Sequence, residues 1–189
     1  MDALLSYSTQ KHTIAPSAIH SKIKRNTRVM NIFYLDTCPK AAAVQQCDKH
    51  VVKMILESAQ MLSTAHHEHN SPRAVYKTTH KNHPSTVWTR ESVKHYNWLY
   101  AHMEALSDEY THRYGKVHLT WQKCQEALRE PPEAMPDLEW REPPQCMPDE
   151  CKRASAVDGY RVYYRVKSDT IDMRWTNATK HFFEEEHTT

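Results

Sequence analysis

The chain has 189 residues, a length that fits one domain built around one hydrophobic core. Its mean hydropathy is low and no run approaches the roughly 18 apolar residues that a membrane span requires, so the composition predicts a soluble protein and excludes an integral membrane protein. The formal net charge is only +2, and much of the positive excess lies in residues 1–29, so no basic field marks the remaining chain as a nucleic-acid binder.

The scarcity of glycine favours helices. Only two glycines, Gly115 and Gly159, occur in the chain, whereas all-β folds normally need glycine at tight turns and bulges. We therefore predict an all-α fold, a compact single-domain helical bundle with long loops. The five cysteines are odd in number and no secretory signal precedes them, so we expect an intracellular, cytoplasmic protein.

Residues 1–29 differ in composition from the rest of the chain. They are rich in Ser, Thr and basic side chains and have no sustained apolar period, which predicts a disordered basic extension. A start codon assigned too far upstream would also account for them, and a transit peptide for organelle import has the same composition. Met30 then opens an apolar segment, and we predict one domain over residues 30–183, followed by an acidic tail at residues 184–189.

The first long helix is predicted from Ala41 to about Ala65, where Pro and Gly are absent and apolar residues recur at helical spacing. Its opposite face carries a polar stripe with steps of three and four, formed by His50, Lys53, Glu57, Gln60 and Thr64. Glu57 lies at the centre of the stripe, an arrangement that could hold one carboxylate ready for proton transfer. The alternative is an exposed helix face with an ordinary Lys53–Glu57 ion pair, worth roughly a few tenths of a kcal/mol.

A polar loop is predicted over residues 66–81, and a second helix should begin at Pro84 and end near Gly115. The loop ends in the polar run from Thr79 to His83, a position at which backbone N–H groups and side chains can bind an anion such as phosphate. The alternative is that Asn82 or His83 simply caps the helix and that Pro84 occupies its first turn.

The last third of the chain combines a proline-rich segment and a third helix. Residues 131–149 hold six of the ten prolines, a density that excludes a helix. A final helix is predicted from about Ala154 to Lys167, where tyrosines alternate with basic residues. Such a helix could lie along a nucleic-acid backbone and stack bases, but ordinary amphipathic packing, with the tyrosines directed inward, is the favoured interpretation.

Fourteen histidines prompt a metal hypothesis, because His66, His67 and His69 are close together and His80 precedes His83 by three residues. A zinc site needs three or four ligands at defined spacing, and neither HExxH nor paired CxxC motifs occur. We therefore predict no metal and no cofactor.

A set of short motifs is ordered along the first half of the domain. It comprises Met30-Asn31-Ile32-Phe33, Asp48-Lys49-His50, Glu57-Ser58-Ala59-Gln60, Asn82-His83-Pro84 and Trp88. In order and spacing, this set resembles the pyrimidine-dimer DNA glycosylases of phages and bacteria, the endonuclease V type. The resemblance covers roughly residues 30–116 and does not extend to the proline-rich segment or the final helix.

The resemblance implies a helical, single-domain enzyme in which the amine at the start of the chain attacks the sugar C1′ of a damaged nucleotide. It makes Glu57 the assisting carboxylate and Met30 the residue that supplies the amine. An α-amine has a pKa of about 8, so a useful fraction is unprotonated at neutral pH. The resulting Schiff base would allow strand cleavage by β-elimination.

The resemblance also implies a substrate-binding surface. Its candidate residues are His50, Lys53 and Gln60 in the cleft, Asn82 and His83 at the DNA-facing rim, and Trp88 and Arg90 on the helix that follows. Gln60 stands where an arginine would hold phosphate more strongly. A start at Met1 would remove the reactive amine from the fold unless Lys53 or Lys49 replaced it.

We therefore predict a DNA glycosylase with abasic-site lyase activity, acting on damaged or modified DNA, with no membrane partner. One alternative is a non-catalytic binder of modified nucleic acid or of a protein partner that uses the same surface. The second alternative is a histidine-based metal hydrolase.

Overall fold

The computed structural model describes residues 30–178, so the predicted extension at residues 1–29 and the predicted tail at residues 184–189 lie outside the described residues. Within that range there is no β-strand, and six α-helices and one short 3-10 helix occur: α1 (Pro39–Val44), α2 (Asp48–Glu68), α3 (Pro84–Glu91), α4 (Val93–Tyr114), α5 (Leu119–Cys124), the 3-10 helix (Asp149–Cys151) and α6 (Ala156–Ser168). The predicted all-α class is confirmed. No helix of residues 30–178 is long and apolar enough to cross a membrane.

The two long helices, α2 and α4, pack against each other, and α1 and α3 cover them. Apolar residues at helical spacing on α2 meet those on α4, and the shared fully buried set is Val51, Ile55, Leu62, Leu99, Met103 and Leu106. The apolar segment that begins at Met30 runs through this core and is buried from residue 30 to residue 34. The sequence predicted these apolar faces because their period is that of a helix.

The prediction of one continuous helix from Ala41 to Ala65 is wrong at residues 45–47, where the chain bends between α1 and α2. No proline or glycine causes the bend. The Cys47 backbone N–H instead donates to the Tyr164 hydroxyl at 2.7 Å, and the Gln46 side chain donates to backbone carbonyls of the buried first segment. Tertiary hydrogen bonds thus replace intrahelical ones at this position.

The predicted second helix is likewise interrupted, at Ser92, whose backbone is extended between α3 and α4. Its Oγ accepts from the Lys94 backbone N–H and donates to the carbonyl of Leu138, and the Val93 N–H donates to the carbonyl of Pro136. The proline-rich segment is therefore hydrogen-bonded to the start of α4. Gly115 ends α4 with φ +66°, a left-handed conformation that glycine adopts without strain, as predicted.

The final helix turns its tyrosines inward, which is the interpretation favoured from the sequence. Tyr160 and Tyr164 are fully buried and Tyr163 is half-buried. The Tyr160 hydroxyl donates to the carbonyl of Pro144, so α6 also holds the proline-rich segment, which forms no α-helix.

Arg113 links three helices through a guanidinium that is completely buried. It donates to the Glu109 carboxylate at 2.8 Å, to the Asp48 carboxylate at 2.9 Å and to the Val44 carbonyl at 3.2 Å. The end of α4 is therefore fixed to the end of α1 and the start of α2. Burial of a charge is tolerated here because two carboxylates and a carbonyl replace its water.

Replacing Arg113 with Met should lower the free energy of unfolding by about 3–5 kcal/mol, because two poorly exposed carboxylates lose their partner. Urea unfolding at pH 7 measures this. The matched control is Arg129→Met, which breaks the exposed Arg129–Glu126 pair and should leave the free energy of unfolding close to that of the parent protein. Equal effects of the two substitutions would contradict the role given to Arg113.

Candidate active site

The segment from Met30 to Leu35 lies in the core without belonging to a helix or a sheet. The Asn31 Oδ1 accepts the backbone N–H groups of the next two residues, at 2.8 and 3.1 Å. Phe33 has a φ of +53°, a left-handed conformation that costs a non-glycine residue on the order of 1–3 kcal/mol. The surrounding structure therefore holds this segment in a conformation that it would not adopt alone.

Glu57 reaches the start of this segment from α2. Its Oε2 accepts from the Asn31 backbone N–H at 3.3 Å, and its Oε1 lies 2.8 Å from the Lys53 Nζ. The ion pair expected between neighbouring turns of the helix is therefore present, and the same carboxylate also contacts the beginning of the fold. The Glu57 side chain is 14% exposed, so the carboxylate is largely but not completely shielded from solvent.

The other wall of the site comes from α3 and the proline-rich segment. The Asn31 Nδ2 donates to the Cys146 carbonyl at 3.0 Å, and the Met30 Sδ accepts from the Thr86 hydroxyl at 3.4 Å. The Cys146 Sγ lies 3.4 Å from the Ser85 Oγ. Sequence reasoning did not identify Cys146 or Ser85 as site residues, because their contact joins parts of the chain that are far apart.

His50 of α2 is buried next to Phe33 of the first segment. Its ring stacks on Phe33 with centroids 4.2 Å apart, and its Nδ1 is 2.7 Å from the Tyr164 hydroxyl. Burial, and then the positive charges of Lys167, Lys53 and Lys49, lower the pKa of His50 to about 3. The imidazole is therefore neutral at pH 7 and holds the Phe33 ring in place.

Three other predicted substrate-binding residues, Gln60, Asn82 and His83, differ in their exposure and in their contacts. Gln60 is half-buried one turn after Glu57, and Asn82 is exposed. His83 caps α3, since its Nδ1 accepts from the Ser85 backbone N–H at 3.2 Å, and Pro84 occupies the first turn. The capping interpretation therefore accounts for this residue, and burial lowers the pKa of the His83 ring.

Trp88 and Arg90 make contacts within the protein. The Trp88 side chain is 3% exposed, stacks on His95 at 4.6 Å, and donates its indole N–H to the Arg141 carbonyl. The Arg90 guanidinium donates to the Lys81 carbonyl and so fixes the loop before α3. The structure thus brings Lys53 and Glu57 to the Asn31 backbone N–H, next to Met30, and uses Trp88 and Arg90 for packing and for a loop contact.

Within residues 30–178, no three His, Cys, Asp or Glu side chains come together in a way that could hold a metal ion. The neighbouring histidines at the end of α2, where the helix extends to Glu68 rather than ending at the predicted Ala65, make other contacts. His66 bonds to Ser71 and Tyr96, and His69 bonds to the Arg90 carbonyl. The metal-hydrolase alternative therefore has no ligand set in the described part of the chain.

Comparison with known proteins identifies a family. The family model described as pyrimidine dimer DNA glycosylase matches residues 30–123, which include Met30, Glu57 and α1 to α5 up to residue 123. No curated protein and no solved structure matches the chain.

The free energy of unfolding should fall as the pH falls from 6.5 to 4, in part because of His50. Its pKa is about 3 in the folded state and about 6.5 in the unfolded state, so only the unfolded state takes up the proton in this window. His50→Gln should make the decrease shallower by up to about 1.4 kcal/mol per pH unit.

Urea unfolding at pH 7, 6, 5 and 4.5 measures this difference. Replacement of the exposed His80 with Gln is the control and should leave the slope as in the parent protein. A His50→Gln slope equal to that of the parent would show that His50 is protonated in the folded state.

Proposed function

Residues 30–123 belong to the pyrimidine dimer DNA glycosylase family, and from that premise we propose that the chain is a DNA glycosylase with abasic-site lyase activity, acting through a Schiff base at the amine of Met30. The family supplies the DNA substrate and the glycosylase class of the reaction. The lyase step, the nucleophile and the preference for damaged or modified bases are our own proposals. Glu57 is proposed as the carboxylate that moves protons.

The contact between Glu57 and the beginning of the fold carries this proposal. The Oε2 of Glu57 is 3.3 Å from the Asn31 nitrogen, and consecutive residues are about 3.8 Å apart along the chain. The α-amine of a chain that starts at Met30 would therefore lie only one residue along the chain from the nitrogen that Glu57 contacts. General acid–base catalysis requires such proximity before it requires anything else.

The proposed reaction begins when the lone pair of the amine attacks C1′ and the glycosidic bond to the base breaks. The departing base takes a proton from solvent, and the attacking nitrogen passes a proton to the Glu57 carboxylate. Glu57 then returns that proton to O4′ as the sugar ring opens to the Schiff base. Water then takes a C2′ proton, a C1′–C2′ enamine forms, and its electron pair expels the phosphate attached at O3′ as the C3′–O bond breaks. A second water hydrolyses the conjugated Schiff base and releases the Met30 amine.

Lys53 supports the proposed role of Glu57 by position. Its ammonium holds Oε1, which leaves Oε2 directed at the beginning of the fold. The Lys53 side chain is 55% exposed, so its ammonium is accessible from solvent and can also bind a DNA phosphate.

A non-catalytic binder of modified nucleic acid or of a protein partner is the second candidate. It is favoured if the chain starts at Met1, because the Met30 nitrogen is then a peptide nitrogen and has no lone pair for attack. The cleft and its lysines would still bind an anionic partner.

Borohydride trapping separates the two candidates. Chains beginning at Met1 and at Met30 are each incubated with DNA that carries an abasic site, and borohydride reduces any Schiff base to a stable covalent adduct. We expect an adduct with the Met30 form only, since only that form has the amine in place. A folded Met30 form that gives no adduct, checked by circular dichroism, would favour the binder.

Glu57→Gln in the Met30 form should lower the rate of base release from damaged DNA by about 10²–10⁴-fold, the usual contribution of one acid–base group. The matched control is Glu126→Gln, which changes an exposed glutamate that also pairs with a basic residue. Single-turnover kinetics give both rates. A loss of less than threefold in Glu57→Gln would remove Glu57 from the proposed chemistry.

A further inference from the structure

Lys167 lies on α6, outside the segment that matches the family. Its side chain is half-buried, and its Nζ is 5.1 Å from the centroid of the Tyr163 ring and 5.8 Å from that of Phe33. Phe33 in turn stacks on His50 and lies two residues after Asn31, whose backbone N–H donates to Glu57. The final helix therefore brings a cation to the candidate active site.

The Lys167 ammonium is not neutralised by the described part of the chain. Among residues 30–178, no carboxylate forms an ion pair with it, and the interactions that hold it are the two aromatic rings. Burial, and then the positive charge of Lys53, lower the pKa of Lys167. Such a cation is less well hydrated than an exposed lysine and gains more from an anion that comes to it.

Three lysines, from α2 and α6, bring positive charge to the surroundings of His50. Lys49 and Lys53 on α2 and Lys167 on α6 all act on the buried ring of His50. The one carboxylate shown to pair with this group is Glu57, which binds Lys53. The three ammonium groups around His50 outnumber this carboxylate, and an excess of positive charge favours the binding of an anion.

We propose that Lys167 binds a backbone phosphate of the DNA strand next to the damaged nucleotide and positions that strand over Glu57. The proposal rests on the proposed function for its substrate, but it adds a contact from a helix outside the matched family segment. A lysine is suited to this task because its compact charge needs no fixed orientation of the phosphate. The rings of Phe33 and Tyr163 attract the ammonium itself and fix its position beside the candidate site.

The salt dependence of binding tests the contact. The full chain is titrated with a duplex that carries a tetrahydrofuran abasic analogue, which cannot form a Schiff base, at several NaCl concentrations. Lys167→Met keeps an unbranched apolar side chain against the rings. It should weaken binding roughly tenfold at low salt and lower the slope of log K against log [salt] by about 0.9, the value for one lost phosphate contact.

Two further variants and one control complete the test. Lys167→Gln should behave like Lys167→Met, so a folding defect in either one leaves the other, and Lys167→Arg should restore most of the slope. Lys123→Met removes an exposed lysine on α5 and should leave both the affinity and the slope as in the parent chain. A merely structural role for Lys167 would not change the salt slope.

Failure of the Lys167 contact and failure of the proposed function give different experimental results. A parent chain that binds the duplex, with Lys167→Met and Lys167→Gln at the parental slope, would overturn the phosphate contact and leave the proposed function intact. A parent chain that does not bind DNA at all would overturn both. A reduced slope in a chain that gives no borohydride adduct would support the contact in a protein that binds DNA without cleaving it.

Discussion

The backbone of the first described residues is buried without a helix or sheet to satisfy its polar groups, so side chains must do so. The Asn31 side chain serves the N–H groups of Ile32 and Phe33, and other partners come from the helices. Glu57 of α2 accepts the Asn31 N–H, and Gln46, between α1 and α2, donates to the carbonyls of the next two residues. Arg161 of α6 donates to the carbonyl of Leu35. The segment thereby fixes these helices relative to one another.

The same requirement explains why the candidate site lies where it does. A carboxylate that must reach a buried backbone N–H at the beginning of the fold is also a carboxylate close to any amine at that position. Lys49 and Lys53 of α2 and Lys167 of α6 act on His50, whose ring stacks on Phe33 of the same segment. Structural support and proposed catalysis are therefore properties of one hydrogen-bonded arrangement rather than of two separate regions.

Local patterns in the sequence predicted the helices and the position of Glu57, because periodicity and spacing are properties of neighbouring residues. They failed at residues 45–47 and at Ser92, where hydrogen bonds to Tyr164 and to the proline-rich segment interrupt helices that have no local breaker. They also missed Cys146, which contacts Asn31 across 115 positions of the chain. Contacts over such separations leave no local pattern in the sequence, so they could not be predicted from it.

The identity of the nitrogen that bonds to DNA is the central claim. The most direct measurement is mass spectrometry of the peptide that carries the reduced adduct, after trapping the chain that begins at Met30. We expect the modification on the α-nitrogen of Met30. An adduct on the ε-nitrogen of Lys53, Lys49 or Lys167 would show that a side-chain amine performs the reaction and would contradict the role given to the beginning of the fold.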